Sequence, residues 1–527
     1  MDEKIINQGN SSTDEVEVMS KQQGELHQKL WAIADDLRGS MEAGDFKDYI
    51  LGLIFYKYLS SNIVSVCSKL LLEDDITLEV AWEDKEYKEG LVEELQYTLG
   101  YHIEPKFLFT TMINEIKEGN FDIEMLQKAL NAVSASTMGL DSNEDFDGLF
   151  ADMDLNNNKL GKDIKSRSLL ISKVMERIDE LSFLFEDSKI DVLGDAYEYL
   201  IGQFATNAGK KAGEFYTPRQ VSDILAKIVT LERPEIKRLY DPTCGSGSLL
   251  LSVHKEAKVR ETYGQEKIST TYNLCRMNML LHGLQYRDFN IKNSDTLTDP
   301  QHLDKQFDAI VANPPYSLKW SADSSFKSDE RFSAYGKLAP KSAADFAFIQ
   351  HMIYQLEGIG TMAVVLPHGV LFRGNAEKVI REHLIDKDYL DAVIGLPANI
   401  FYGTSIPTCI LVFKKCRDSK EILFIDASNE FKKQKNQNRL TEDNINKIIE
   451  TFKERREVEK YSYNATMEEI KENDYNLNIP RYVDTFEEEE DIDINAVQEE
   501  IFKIDKEIEN TKAELNVFLR ELGLKEF

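Results

Sequence analysis

Asn313, Pro314, Pro315 and Tyr316 stand directly after an apolar run, Phe307 to Ala312 (FDAIVA), that reads as a buried β-strand ending at that point. An amide, two prolines and an aromatic ring at a strand's C-terminal edge suit a flat substrate carrying an amino group. Proline has no N–H to donate and holds the residue before it in extended geometry, so the turn is stiff and its carbonyls face outward. The Asn313 side-chain oxygen and the Pro314 carbonyl can accept both hydrogens of one exocyclic amine, while the Tyr316 ring stacks on the ring that bears it. Such an amine is a weak nucleophile because its lone pair is delocalised, and two acceptors draw it toward a pyramidal, reactive state. These four residues are the candidate catalytic group. The plainer alternative is a proline-terminated strand with a surface tyrosine.

A second cluster follows Leu239-Tyr240: Asp241-Pro242-Thr243-Cys244-Gly245-Ser246-Gly247-Ser248, then three leucines and a stretch of helical character. Strand, glycine-rich turn and helix start, in that order, let a bound molecule approach the backbone in a doubly wound sheet. The spacing is not the dinucleotide GxGxxG, and no Lys follows the glycines as a P-loop requires. Nineteen residues beyond Gly247, Glu266 stands where a second strand should end, placed to hold ribose hydroxyls. Asp295 stands where a third should end and suits an adenine amino group. Alone, each acid would be an ordinary solvated carboxylate. In this order, each after a strand, they read as a nucleoside-binding series.

Together these motifs resemble the amino-group DNA methyltransferases that use S-adenosylmethionine, with the cofactor half ahead of the catalytic half. Residues 213–219 (GEFYTPR) resemble the segment that closes over the methionine end of the cofactor in that family. The resemblance thus implies a cofactor site made of Glu214, Phe215, Tyr216, Thr217, Pro218, Arg219, Asp241, Gly245, Ser246, Gly247, Ser248, Glu266 and Asp295. Residues 344–351 (ADFAFIQH), 401–408 (FYGTSIPT) and 476–482 (NLNIPRY) resemble modification subunits of type I restriction-modification systems, and the likeness runs from about residue 22 to near the C-terminus. Ser246-Gly247-Ser248 departs from relatives that often carry Thr or Ala, but only small side chains are required there.

The activity so implied is N6-methylation of adenine in double-stranded DNA, with the base flipped out to Asn313–Tyr316 and the methyl group transferred directly. No Pro-Cys nucleophile of the cytosine-C5 kind is present, and Cys244 reads as a small packing residue within the turn. The implied partners are a specificity subunit, a second modification subunit and a motor restriction subunit. Two alternatives stand beside this reading. One is the same chemistry on a glutamine amide or an RNA base, against which the type I pattern outside the catalytic motifs argues. The other is a cofactor-binding assembly subunit without turnover, which intact Asn313, Pro314 and Tyr316 disfavour.

The elements that must position these residues follow from periodicity. Strand-like runs (LYD, TYGQ, FDAIVA, TMAVVLP, LDAVIGLP, CILVFKK) alternate with helical stretches, predicting an α/β, doubly wound, mostly parallel sheet over residues 161–430. Antiparallel pairing of the last of these strands is implied by the resemblance. Residues 21–160 carry helical spacing, as in Leu30, Ile33, Leu37, Tyr49-Ile50, Phe55 and Tyr58, and read as an all-α domain for packing and assembly. Residues 1–20 read as a disordered N-terminus, and 152–163 (DMDLNNNKLGKD) as a linker. Residues 431–527 read as a helical C-terminal region. In its tail Ile494, Val497, Ile501, Ile504, Ile508, Leu515, Phe518 and Leu522 fall three and four apart, with only Thr511 breaking the series. That is a heptad seam wanting a partner helix.

Composition bounds the rest. The 527 residues suit two or three domains, and 42% hydrophobic content supports a sizeable core. No run of eighteen or more apolar residues appears and the N-terminus is acidic, so the expectation is a cytoplasmic protein without a membrane partner. Cys67, Cys244, Cys275, Cys409 and Cys416 form no CxxC pair or Cys/His cluster, so neither disulfides nor a structural metal is expected. The formal charge of −30 opposes unaided binding to phosphates. No large recognition domain follows the last strand, so sequence recognition must be borrowed. Lys319, Lys327, Arg331, Lys337 and Lys341, interleaved with Trp320, Phe326, Phe332 and Tyr335, read as a local patch for a displaced nucleotide.

Overall fold

The apolar runs form strands β1 (Glu235–Asp241), β2 (Lys258–Glu266), β3 (Phe289–Asn293), β4 (Phe307–Ala312), β5 (Leu356–Pro367), β6 (Leu390–Gly395), β7 (Thr408–Lys414) and β8 (Ile422–Asp426). Three short ones follow, β9 (Lys432–Lys433), β10 (Asn438–Arg439) and β11 (Ser462–Ala465). This computed structural model describes residues 43–181, 192–207, 216–231, 233–401, 404–434, 437–485 and 494–525. The expected disordered N-terminus lies outside them. So do Leu30, Ile33 and Leu37.

Nine strands join one sheet in the order β11-β8-β6-β7-β5-β4-β1-β2-β3. β3, β2, β1, β4 and β5 run parallel, and β7 is antiparallel to both its neighbours, β5 and β6. β4, β6 and β7 are buried along almost their whole length, as strands covered on both faces must be. From β1 the chain runs outward through β2 to β3, then returns to lay β4 on the other side of β1. That reversal opens a crevice at the C-terminal ends of β1 and β4, where Asp241 and Asn313 stand.

The helical part is built on Ala43–Leu70, whose Phe46, Ile50, Leu53, Ile54, Phe55, Leu59 and Ile63 are all buried. By length and composition its Phe46–Leu70 span could cross a membrane, but these apolar side chains are used in the core. It docks on the helix Ser269–Leu281 beside β3. Tyr58 donates its hydroxyl hydrogen to the Leu280 carbonyl at 2.7 Å. Buried Arg276 donates to the carbonyls of Glu144 and Asp147 at 2.7 and 3.0 Å.

Two sequence-based boundaries move. Residues 152–163 are no free linker: Met153, Leu155 and Leu160 are buried, and Asp152 accepts a hydrogen bond from Asn273 at 2.8 Å. The helix Ile164–Asp179 belongs with the helical part rather than the sheet. Its Ser168 hydroxyl accepts the Ile123 N–H at 3.0 Å, and Lys57 donates to the Ile178 carbonyl at 2.9 Å. At the other end, the stretch expected to be purely helical from residue 431 supplies β11, paired antiparallel with β8, and chain compactness extends to Val483. Residues 484–527 form a unit of their own, whose helix Ile494–Glu521 exposes Ile501, Ile504, Ile508, Leu515 and Phe518.

Candidate active site

The glycine-rich turn is shaped by backbone. Gly245 and Gly247 have φ of 55° and 82°, the left-handed region glycine enters without strain. A Cβ on Gly247 would come within 2.5 Å of Met279 Cε and 2.9 Å of Cys275 Sγ, so the turn also packs too closely for any side chain. Asp241, nearly fully buried at the end of β1, accepts the Thr243 N–H at 2.9 Å, and burial raises its pKa to about 7. Asn278 donates to the Ser246 carbonyl at 2.9 Å, and Ser248 opens the helix Ser248–Glu256. Glu266, ending β2, reaches back to this turn: its carboxylate accepts the Gly245 N–H at 3.1 Å and the Ile268 N–H at 2.7 Å. Burial raises its pKa too, against the pull of these amides.

Asp295 is half-buried beyond β3. It takes a 2.9 Å ion pair from Lys267 and the Leu297 N–H at 3.0 Å. Burial works to raise its pKa, but the Lys267 bond and charge prevail and the net direction is down.

Asn313 directly follows β4. Its Nδ2 donates to Thr217 Oγ1 at 3.0 Å, and its Oδ1 accepts the Tyr316 hydroxyl at 2.8 Å. Tyr316 meets Phe401 edge to face, with centroids 6.0 Å apart. Ser317, next in the chain, has φ of 51°, and its N–H donates to the fully buried Asp345 at 2.9 Å. Arg373 closes the arrangement with an ion pair to Asp345 at 2.9 Å and another to Glu377 at 3.3 Å.

A cleft of about 310 Å³ joins the glycine-rich turn to Asn313. It is lined by Tyr216, Thr217, Asp241, Thr243, Cys244, Gly245, Ser246, Ser248, Leu249 and Asn313. Thus the turn after β1 and the turn after β4 share one cavity. Gly247 packs behind this turn on Cys275 and Met279, and Glu266 is tied to the cleft through Gly245. Pro218 is buried as the cap of helix Arg219–Thr230, while Arg219 is exposed and lies 4.0 Å from Asp195. Glu214 and Phe215 lie outside the described residues.

Donor chemistry here suits S-adenosylmethionine: a buried carboxylate (Asp241) and polar turn for a charged amino-acid end, and acids after the next two strands for a nucleoside. Asp195, Glu198 and His282 also come together, but Lys255 already sits 3.0 Å from Asp195 and 3.6 Å from Glu198, supplying the positive charge.

The reading of the 317–344 loop is corrected. Trp320, Phe326 and Phe332 pack on one another with centroids 5.4 to 5.8 Å apart, Phe332 and Tyr335 are buried, and Arg331 is 3% exposed. These rings serve a small core, not a displaced base. Sequence reasoning also left Asp345 and Phe401 out of the site, although both lie in motifs already noted at 344–351 and 401–408.

Comparison with known proteins gives this cleft its family. The N-6 DNA Methylase model matches residues 188–491, and the HsdM N-terminal domain model matches 26–178. The chain is 40% identical over 509 residues to the type I restriction enzyme MpnII methylase subunit of Mycoplasma pneumoniae, covering 92% of this chain and 94% of that one. The MjaIX methylase subunit of Methanocaldococcus jannaschii is 28% identical over 533 residues, covering 95% and 92%. The crystal structure of a type I restriction-modification methyltransferase subunit from Streptococcus thermophilus superposes with a TM-score of 0.83 at 45% identity, covering 88% of this chain and 100% of that one. The protein therefore belongs to the N6-adenine DNA methyltransferases. Within them it is the modification subunit of a type I restriction-modification system.

Proposed function

We propose that Asn313, Pro314, Pro315 and Tyr316 hold the target adenine, and that the cofactor is held by Tyr216, Thr217 and Asp241 with Gly245, Ser246, Gly247 and Ser248, by Glu266 at the ribose and by Asp295 at the adenine. The observation that carries this is the shared cleft: Asn313 lines the same cavity as Asp241 and the glycine-rich turn. When bound, S-adenosylmethionine supplies an electrophilic methyl carbon. The chain's own work is to orient and polarise. Asn313 Oδ1 and the Pro314 carbonyl accept the adenine N6 hydrogens, which localises the lone pair on nitrogen. Thr217 keeps the amide of Asn313 turned so that its oxygen, not its nitrogen, faces the base. Asp345 fixes the exit of the turn through Ser317.

DNA reading comes from a separate specificity subunit, gripped by the heptad face of Ile494–Glu521. A second modification subunit and a motor restriction subunit complete the assembly. The exposed apolar row supports this, as does a charge of −30 that opposes unaided DNA binding. Tagged full-length chain and a chain truncated from Asp493 are to be co-purified with the specificity subunit while each is titrated with cofactor. The full chain should recover the partner and the truncated one lose it, with cofactor affinity unchanged. Equal recovery by the truncated chain would remove the seam from assembly.

A further inference from the structure

The loop between the acceptor turn and the helix Asp345–Gln355 is closed on itself at its stem. Ala344 N–H donates to the Leu318 carbonyl at 2.9 Å, and Trp320 N–H to the Lys341 carbonyl at 3.1 Å. Such a self-packed excursion needs an anchor if its position is to matter. Arg331 supplies one. A buried guanidinium is costly unless its N–H groups are used, and here they fork across two regions. Nε and Nη2 face Asp329 at 3.0 and 2.7 Å within the loop. Nη1 donates to the Thr296 carbonyl at 3.1 Å, and Nη2 to the Leu297 carbonyl at 2.9 Å.

Thr296 and Leu297 are the residues directly after Asp295, and the Asp295 carboxylate itself accepts the Leu297 N–H. Thr296 also donates its hydroxyl to the Pro242 carbonyl at the start of the glycine-rich turn. A second branch runs through His351. Arg331 Nη1 donates to its Nδ1 at 3.2 Å, which leaves Nε2 as the protonated nitrogen facing the Tyr240 hydroxyl at 3.1 Å. Burial, and then the Arg331 charge, push the His351 pKa down to about 3, so the ring stays neutral. Tyr240 and Pro242 flank Asp241. Arg331 therefore bonds directly to the segment after Asp295, through Thr296 and His351 to the two neighbours of Asp241, and through Asp329 to its own loop after Tyr316.

We infer that Arg331 is a positioning residue that couples the two ligands: a cofactor held at Asp295 steadies residues 295–297, and the Arg331 fork passes that order to the 317–344 loop, whose stem at Leu318 and Ala344 adjoins the Asn313–Tyr316 turn proposed to receive the base. The inference rests on the proposed assignment of Asp295 to the cofactor's adenine. Coupling of binding is reciprocal, so DNA must tighten cofactor binding by the same factor.

The test uses the assembled complex with its specificity subunit, S-adenosylhomocysteine as the cofactor probe, and a duplex carrying the site found methylated in the native genome. The wild type should bind the probe about tenfold more tightly with DNA than without. Arg331→Lys keeps the charge but cannot span both carbonyls. Its DNA-free affinity should stay within about twofold, while the tightening by DNA falls below about threefold. Asp329→Asn, which keeps Arg331 but loosens its alignment, should show the same loss and stands in if the lysine variant fails to assemble. Full tightening in the assembled variant, or none in the wild type, overturns the coupling. Asp295→Ala with unaltered probe affinity would instead undo the adenine assignment, and the two failures are read from different variants.

Discussion

Around Asp241 to Ser248 the chain holds its shape with backbone: two glycines at positive φ, a helix start, and amides of Gly245 and Ile268 drawn to one carboxylate. Around Asn313 to Tyr316 the shape is held by side chains arriving from far along the sequence, Thr217 from one direction, Asp345 and Arg373 from the other. Backbone geometry is local and changes little with occupancy. A turn clamped by distant side chains can be released or reset, which suits the half of the cleft that must receive a base from a duplex.

The comparison is most sharply tested at Asn313. Asn313→Ala should reduce methyl transfer by roughly a hundredfold or more, about 3 kcal/mol of barrier, while cofactor affinity stays within a few-fold. Retention of more than about a tenth of the rate, measured by tritium transfer to DNA in the assembled complex, would remove Asn313 from the polarising role. On the donor side, Glu266→Ala should weaken cofactor binding by roughly 1 to 3 kcal/mol without a separate effect on the transfer step. Calorimetry on the isolated subunit reads this directly, and an unchanged affinity would place the ribose elsewhere. Asp345→Asn has the smallest expected effect. The amide still accepts the Ser317 N–H but forfeits the ion pair with Arg373, so the single-turnover rate should fall about tenfold, roughly 1.4 kcal/mol, at constant cofactor affinity. If cofactor affinity without DNA fell instead, Asp345 would shape the cofactor half as well as the acceptor turn.

This same division explains what was legible in the sequence. FDAIVA is β4 to the residue, because a strand covered on both faces must be apolar throughout. The glycine-rich turn, and the strands that end at Glu266 and just before Asp295, were legible because backbone constraints restrict residue type locally. The 317–344 loop was misread for the opposite reason. Basic and aromatic residues interleave in the same way whether the rings meet a base or one another, and nothing local marks Arg331 as buried. β11 was missed because Ser462-Tyr463-Asn464-Ala465 is short and only half apolar, its place at the sheet edge set by β8 alone. The segment 152–163 looked like a linker because its Asn and Asp residues hide three buried hydrophobic anchors.

The 2.8 Å bond from the Tyr316 hydroxyl to Asn313 Oδ1 has a consequence for discrimination. An acceptor without such a partner would be open to water or to any small amine. Here the enzyme's own phenol fills that role, so a newcomer must displace it, one hydrogen bond exchanged for another at little net cost. For an adenine whose ring can also claim the freed tyrosine face, the exchange is favourable. For a small amine with no ring it is not, and the site stays capped until the intended base arrives.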